Sequence, residues 1–244
     1  MADYDNRART VGTVAPAIDV GLRAYMLRVY NYMLMGLALT GATAWLTADT
    51  PAFRSLFFVQ TALGYTMAPL GWVALFAPLA LVFFLGFRIN KMSFAAAQTT
   101  FWIYSALMGI SLTPILLLYT GASVAQVFFI TAATFGAMSL YGYTTGRDLS
   151  GFGSFLIMGL IGLIIASLVS MFFASSMLQF VISVIGVLIF TGLTAYDTQR
   201  IKSSYYASAG SEAVGKMAVM GALSLYLDFI NLFLMLMRLL GDRR

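Results

Sequence analysis

The sequence predicts an all-α integral membrane protein, folded as a seven-transmembrane-helix bundle with the last helix central. Three observations carry the membrane class. Of 244 residues, 61% are hydrophobic and only 9% charged, whereas soluble domains carry about a quarter charged residues. The mean hydropathy is +0.89. The apolar residues also gather into seven runs, each near the ~20 residues that a helix needs to cross a bilayer.

Taken in order, the first 24 residues hold Asp3, Asp5, Arg7, Arg9, Asp19 and Arg23 without an apolar stretch. They do not have the charged start, apolar middle and cleavage site of a signal peptide. Residues 1–24 are therefore expected to form a polar cytoplasmic tail, and residues 25–244 a seven-helix membrane domain. The spans fall at 26–48, 70–87, 98–119, 123–145, 152–174, 177–199 and 218–240. The second is interrupted by Pro69 and Pro78 and preceded by a partly apolar stretch at 55–68; lipid-embedded helices tolerate proline where neighbours re-satisfy the backbone. The longest polar connection, 200–217, contains Arg200, Lys202, Glu212 and Lys216 and reads as a loop. Gly36, Thr40 and Ala44, then Ala132 and Gly136, then Gly162, Ala166 and Ser170 are small-residue steps suited to close helix approach.

Lys and Arg in short loops are retained on the cytoplasmic side. On the seven-span count only Arg54, Arg238, Arg243 and Arg244 of the fourteen basic residues fall on the far side, so the N-terminus and the 200–217 loop are expected in the cytoplasm. A re-entrant segment would move the last three inward, and the sequence leaves that alternative open.

With no Cys and no His, the chain excludes thiolate nucleophiles, disulfides, Cys/His zinc sites, His-based triads and His-ligated haem. No cofactor is expected. The net charge of +5 is spread singly between apolar runs, and so fixes orientation in the bilayer rather than binding nucleic acid.

An ionisable side chain at bilayer depth costs about 2.5–3.5 kcal/mol on insertion scales and points to function by default. Of the nine acids, seven lie in the tail, loops or C-terminus, leaving Asp197 in FTGLTAYDTQ and Asp228 in LSLYLDFINLF. Ser224, Asp228 and Asn231 follow i, i+4, i+7 spacing and share one helix face, with Arg238 close to that side. Such a helix belongs inside a bundle, its polar stripe toward a cavity. Arg88, directly after VFFLGF, is the basic residue expected to pair with the two acids.

The segments TAYDTQRIK and SLYLDFINLFLMLMRLLG, with AYMLRVYNYMLMGLALTG from Ala24 and FGAMSLYGYTTGRDLSGFG from Phe135, resemble the bacterial branch of the Bax inhibitor-1 family. The likeness runs from about residue 22 to the end. It implies a last helix enclosed by six others, a bacterial inner-membrane location and a calcium-permeable leak regulated by protons. It further implies that Asp197 and Asp228 match a pair of aspartates acting as pH sensor at the cytoplasmic end of the pore. Arg88 would then be the latch that closes it. Span two has no Glu or Asp, so an additional acidic ion ligand is missing there.

Two carboxylates within hydrogen-bonding reach in low dielectric are expected to share one proton. Ca²⁺ takes oxygen ligands, and Asp197 and Asp228 with the Asn231 carbonyl would make a weak site, as conduction requires. A proton-coupled carrier would use the same acids as relays. A non-conducting regulator that binds membrane-protein partners is a further alternative. An intramembrane aspartyl protease fits poorly, because Leu225, Tyr226 and Leu227 precede Asp228 where close backbone approach is needed, and no enzymatic activity is expected.

Overall fold

A computed structural model of the chain describes residues 2–61, 64–173, 175–206 and 211–244, with side chains described from Val20 onward except those of Gly64, Tyr206 and Ser211. The tail acids Asp3, Asp5 and Asp19 lie outside the described side chains, and residues 207–210 outside the described residues. Among the described residues, eight α-helices and one hairpin follow in order: α1 (Ala2–Asp49), α2 (Pro51–Phe57), β1 (Phe58–Thr61), β2 (Gly64–Met67), α3 (Pro69–Arg88), α4 (Phe94–Leu118), α5 (Gly121–Thr144), α6 (Ser150–Ser170), α7 (Ser176–Tyr206) and α8 (Ser211–Leu240).

Six of these, α3 to α8, are long and apolar enough to cross a membrane, which makes the chain a multi-helix membrane protein. The partly apolar stretch before α3 is no helix extension. Short α2 gives way to the antiparallel hairpin, with Phe58 paired to Met67 and Thr61 to Gly64. Pro69 then opens α3 at its first turn, where a missing N–H costs nothing.

Pro78 lies inside α3 and withdraws the N–H that the Ala74 carbonyl would accept. The Ser111 hydroxyl of α4 donates to that carbonyl at 2.5 Å, so a neighbouring helix repairs the ladder. Ser93 caps α4 and Thr120 caps α5, each hydroxyl accepting an N–H three residues on.

The expected loop at 200–217 is largely helical. Lys202 extends α7 by donating to the Tyr143 carbonyl at 2.8 Å while lying over the Tyr143 ring, and the Glu212–Lys216 pair supports the first turn of α8. The long charged side chains reach back to partners, so the backbone need not leave the helix.

α8 packs against α1, α4, α5 and α7 and is the most buried of the six candidate spans. Its first half joins α1 and α4 in one cluster around Val29, Met33, Phe101, Tyr104 and Tyr226. Its second half joins α5, α6 and α7 around Val127, Leu163, Ile189 and Leu232.

Small residues set the closest seams, only partly at the expected steps. Gly36, Thr40 and Ala44 are buried, and a side chain at Gly109 of α4 would collide with Thr40 and Thr43 of α1. Gly136 and Gly162 instead face open space. The tight approaches of α5 and α6 to α7 occur at Gly142, under the Ala195 backbone, and Gly153, under the Tyr196 ring.

The C-terminal segment folds back on the α4–α5 turn: Thr120 donates to the Asp242 carbonyl at 3.1 Å and Arg244 donates to Leu118 at 2.9 Å. Chain alternation therefore puts the C-terminus at the opposite end of the bundle from the α7–α8 connection.

Candidate functional site

α7 and α8 run antiparallel, and their contacts fix a register. Gly221 lies under Ile201, and the Arg200 Nη2 group donates to the Ser224 hydroxyl at 3.3 Å. One turn farther along each helix stand Asp197 and Asp228. This register brings the two acids within electrostatic reach of each other.

Both carboxyls are buried, Asp228 at 5% exposure and Asp197 at 9%. Asp197 Oδ1 pairs with Arg200 at 3.2 Å, one turn away on the same helix. The Arg200 guanidinium also lies 5.6 Å from the Tyr196 ring centre and is half exposed at its side chain. Asp228 lies within electrostatic reach of both Asp197 and Arg200. Its Oδ2 is buried and has no hydrogen-bond partner, an arrangement that costs free energy unless a proton, water or ion meets it.

The pair faces a cavity of about 1140 Å³ walled by α4, α6, α7 and α8. Ser224, Asp228, Asn231 and Arg238 all line it, over about 21 Å of helix at 1.5 Å per residue. The Asn231 amide nitrogen donates to Leu227 at 2.9 Å, which leaves its amide oxygen as an acceptor. Two carboxylates and one amide oxygen form a small hard-oxygen set; no group of three or more acidic, His or Cys residues occurs among the described residues.

Arg88 is exposed at the C-terminal end of α3. It makes no ion pair among the described residues, and α3 packs on α4 rather than on α7 or α8. In this structure the cation beside the acids is Arg200. The sequence carried that signal, since Arg200 follows Asp197 by one helical turn, but the same spacing also fits a side chain reaching out to the membrane surface.

Residues 22–244 match the family described as Inhibitor of apoptosis-promoting Bax1. The chain is 51% identical to an uncharacterised protein of Rickettsia prowazekii over the whole length of both chains. It is 46% identical to the inner membrane protein YbhL of Escherichia coli K12, covering 92% of this chain and 94% of that one. An uncharacterised membrane protein of Streptococcus pyogenes is 41% identical over 91% of this chain and 94% of its own.

Proposed function

Because the chain belongs to the Bax inhibitor family, we propose that it is a pH-regulated, calcium-permeable leak channel of the bacterial inner membrane, gated by Asp197 and Asp228. The observation that carries this reading is the buried Asp228 carboxyl on a cavity wall, one oxygen unpartnered, with a second acid and a single guanidinium beside it.

In this reading the first span is the apolar part of α1, giving seven, and α8 is the enclosed central helix. The burial of α8 and its packing on four neighbours support that arrangement. The cytoplasmic end is the one with Arg28, Arg88, Lys91, Arg147, Arg200 and Lys216.

Arg200 takes the latch role expected of Arg88. It touches an acid on its own helix and Ser224 on the other, so it ties α7 to α8 while the acids carry charge. Protonation removes the charge that holds the guanidinium, and the helices are then free to part. Ca²⁺ passing the acids meets oxygen ligands too few for tight binding, which suits conduction.

The test is calcium and proton flux from liposomes between pH 5 and 8. The parent should open on acidification. Asp228→Asn should remove most of that pH response, and Arg200→Gln should leave flux high at pH 8. Flux that saturates with a solute and draws protons with it would make the protein a carrier. No flux in any variant would leave a non-conducting regulator of membrane partners.

A further inference from the structure

At the end of the cavity away from the acids stand two arginines that the proposed gate does not use. Arg238 is in the last turn of α8, ten residues and so about 15 Å beyond Asp228. Arg243 follows in the terminal segment. Both line the cavity, and neither makes an ion pair among the described residues. Asp242, which lies between them in sequence, does not line it. The segment is held in place: Arg243 bridges Tyr119, and the next residue donates to the Leu118 carbonyl.

The wall above this end mixes apolar side chains with Ser167, Ser170, Gln179 and Ser183. Leu160, Ile164 and Leu168 follow i, i+4, i+8 spacing on α6 and line the same cavity opposite Phe180 of α7. Ile164, Leu168 and Phe180 are each more than half exposed. α4 and α6 make no extended contact with each other, so the cavity opens sideways between two spans. In a bilayer the exposed apolar side chains at this lateral mouth meet hydrocarbon, while the acids and hydroxyls line the polar interior of the cavity. A guanidinium pair at the membrane-surface end of such a mouth complements a phosphate diester, which Arg recognises through paired N–H donors.

We propose that this cleft binds one anionic phospholipid, its phosphate between Arg238 and Arg243 and an acyl chain along Leu160, Ile164 and Leu168. Basic pockets between spanning helices bind lipid headgroups by this combination of charge and adjoining apolar wall. The site shares the cavity with the acid pair but lies at its other end, about 15 Å along α8.

The full chain in a neutral detergent should show a higher unfolding temperature on addition of short-chain phosphatidylglycerol. Phosphatidylcholine of the same chain length and inorganic phosphate should not reproduce the shift. Arg238→Gln with Arg243→Gln should weaken apparent phosphatidylglycerol binding about tenfold for each guanidinium removed, whereas Arg147→Gln should leave it unchanged. Ile164→Trp, which fills the cleft and keeps both arginines, should weaken binding as well, and it carries the test if the double variant fails to fold. Equal stabilisation by phosphatidylcholine would reduce the site to an apolar filler. An equal response to inorganic phosphate would make it a free-anion site. Undiminished phosphatidylglycerol binding in the folded double variant, or in Ile164→Trp, would overturn the proposal.

Discussion

The two faces of α8 near its middle are built for opposite ends. Toward α1 and α4, Tyr226 is fully buried; its hydroxyl lies 2.6 Å from Thr40 Oγ1, which in turn donates to the Gly36 and Ser105 carbonyls. The ring meets Phe101 and Tyr104 edge-on at 6.1 and 5.4 Å. Two residues on and about 200° around the helix, Asp228 is also buried, yet it faces a cavity and one oxygen has no partner. One face gathers packing and ties the Tyr226 hydroxyl into hydrogen bonds in the way that spanning helices associate, although the Tyr104 hydroxyl beside it has no partner. The other holds a buried acid with one oxygen unpartnered. The rigid face allows the polar face to stay unsatisfied, since the helix is held without it.

Truncating the packed face should therefore cost far more than neutralising the polar one. Tyr226→Ala should lose about 3–5 kcal/mol in detergent unfolding, and Asp228→Asn, which keeps the volume, no more than about 1 kcal/mol. Comparable losses would break the comparison.

A finer test lies within the packed face. Thr40→Val should cost about 1–3 kcal/mol, because it leaves the Tyr226 hydroxyl buried without an acceptor. In the Tyr226→Phe background the same change should cost distinctly less, since no hydroxyl remains to strand. A double-mutant cycle reads the difference, and additive losses would mean that the 2.6 Å contact contributes nothing.

The smallest effect belongs to Asp148, an exposed acid that serves as a control for the buried ones. Its carboxylate accepts from the Ser150 side chain and from the Ser150 N–H at 2.9 Å, and these bonds hold its pKa below the usual carboxylate value. A folded-state pKa below the unfolded one gives stability that is present above the unfolded pKa and is lost as pH falls through the folded value. Asp148→Asn should therefore lower the melting temperature slightly at pH 7 and have no further effect at the acid end of a pH 7 to 2 series. A drop that persists unchanged at the lowest pH would assign the effect to helix capping without charge.

Much of the fold is legible in the sequence. Four of the seven expected spans coincide with helices to within a few residues, and the other three lie inside the longer α1, α7 and α8, because twenty apolar residues in lipid have few alternatives to a helix. The hairpin at 58–67 was not legible. It is short and partly apolar, and it resembles a helix extension until its pairing is seen.

Composition and periodicity alone determined that this chain lives in a membrane, that two acids stand in its last two helices, and that Ser224, Asp228 and Asn231 share a face. Those facts follow from local rules, the cost of charge in lipid and the 3.6-residue repeat. The tertiary structure decided which cation stands beside the acids. Arg88 and Arg200 both end apolar runs, and nothing in either run says where its helix goes. The register of α7 on α8, set by Gly221 under Ile201, brings Arg200 to Ser224 and Asp228. Packing of α3 on α4 keeps Arg88 away. Contacts between residues far apart in the chain depend on how side chains interlock, and no local pattern encodes that.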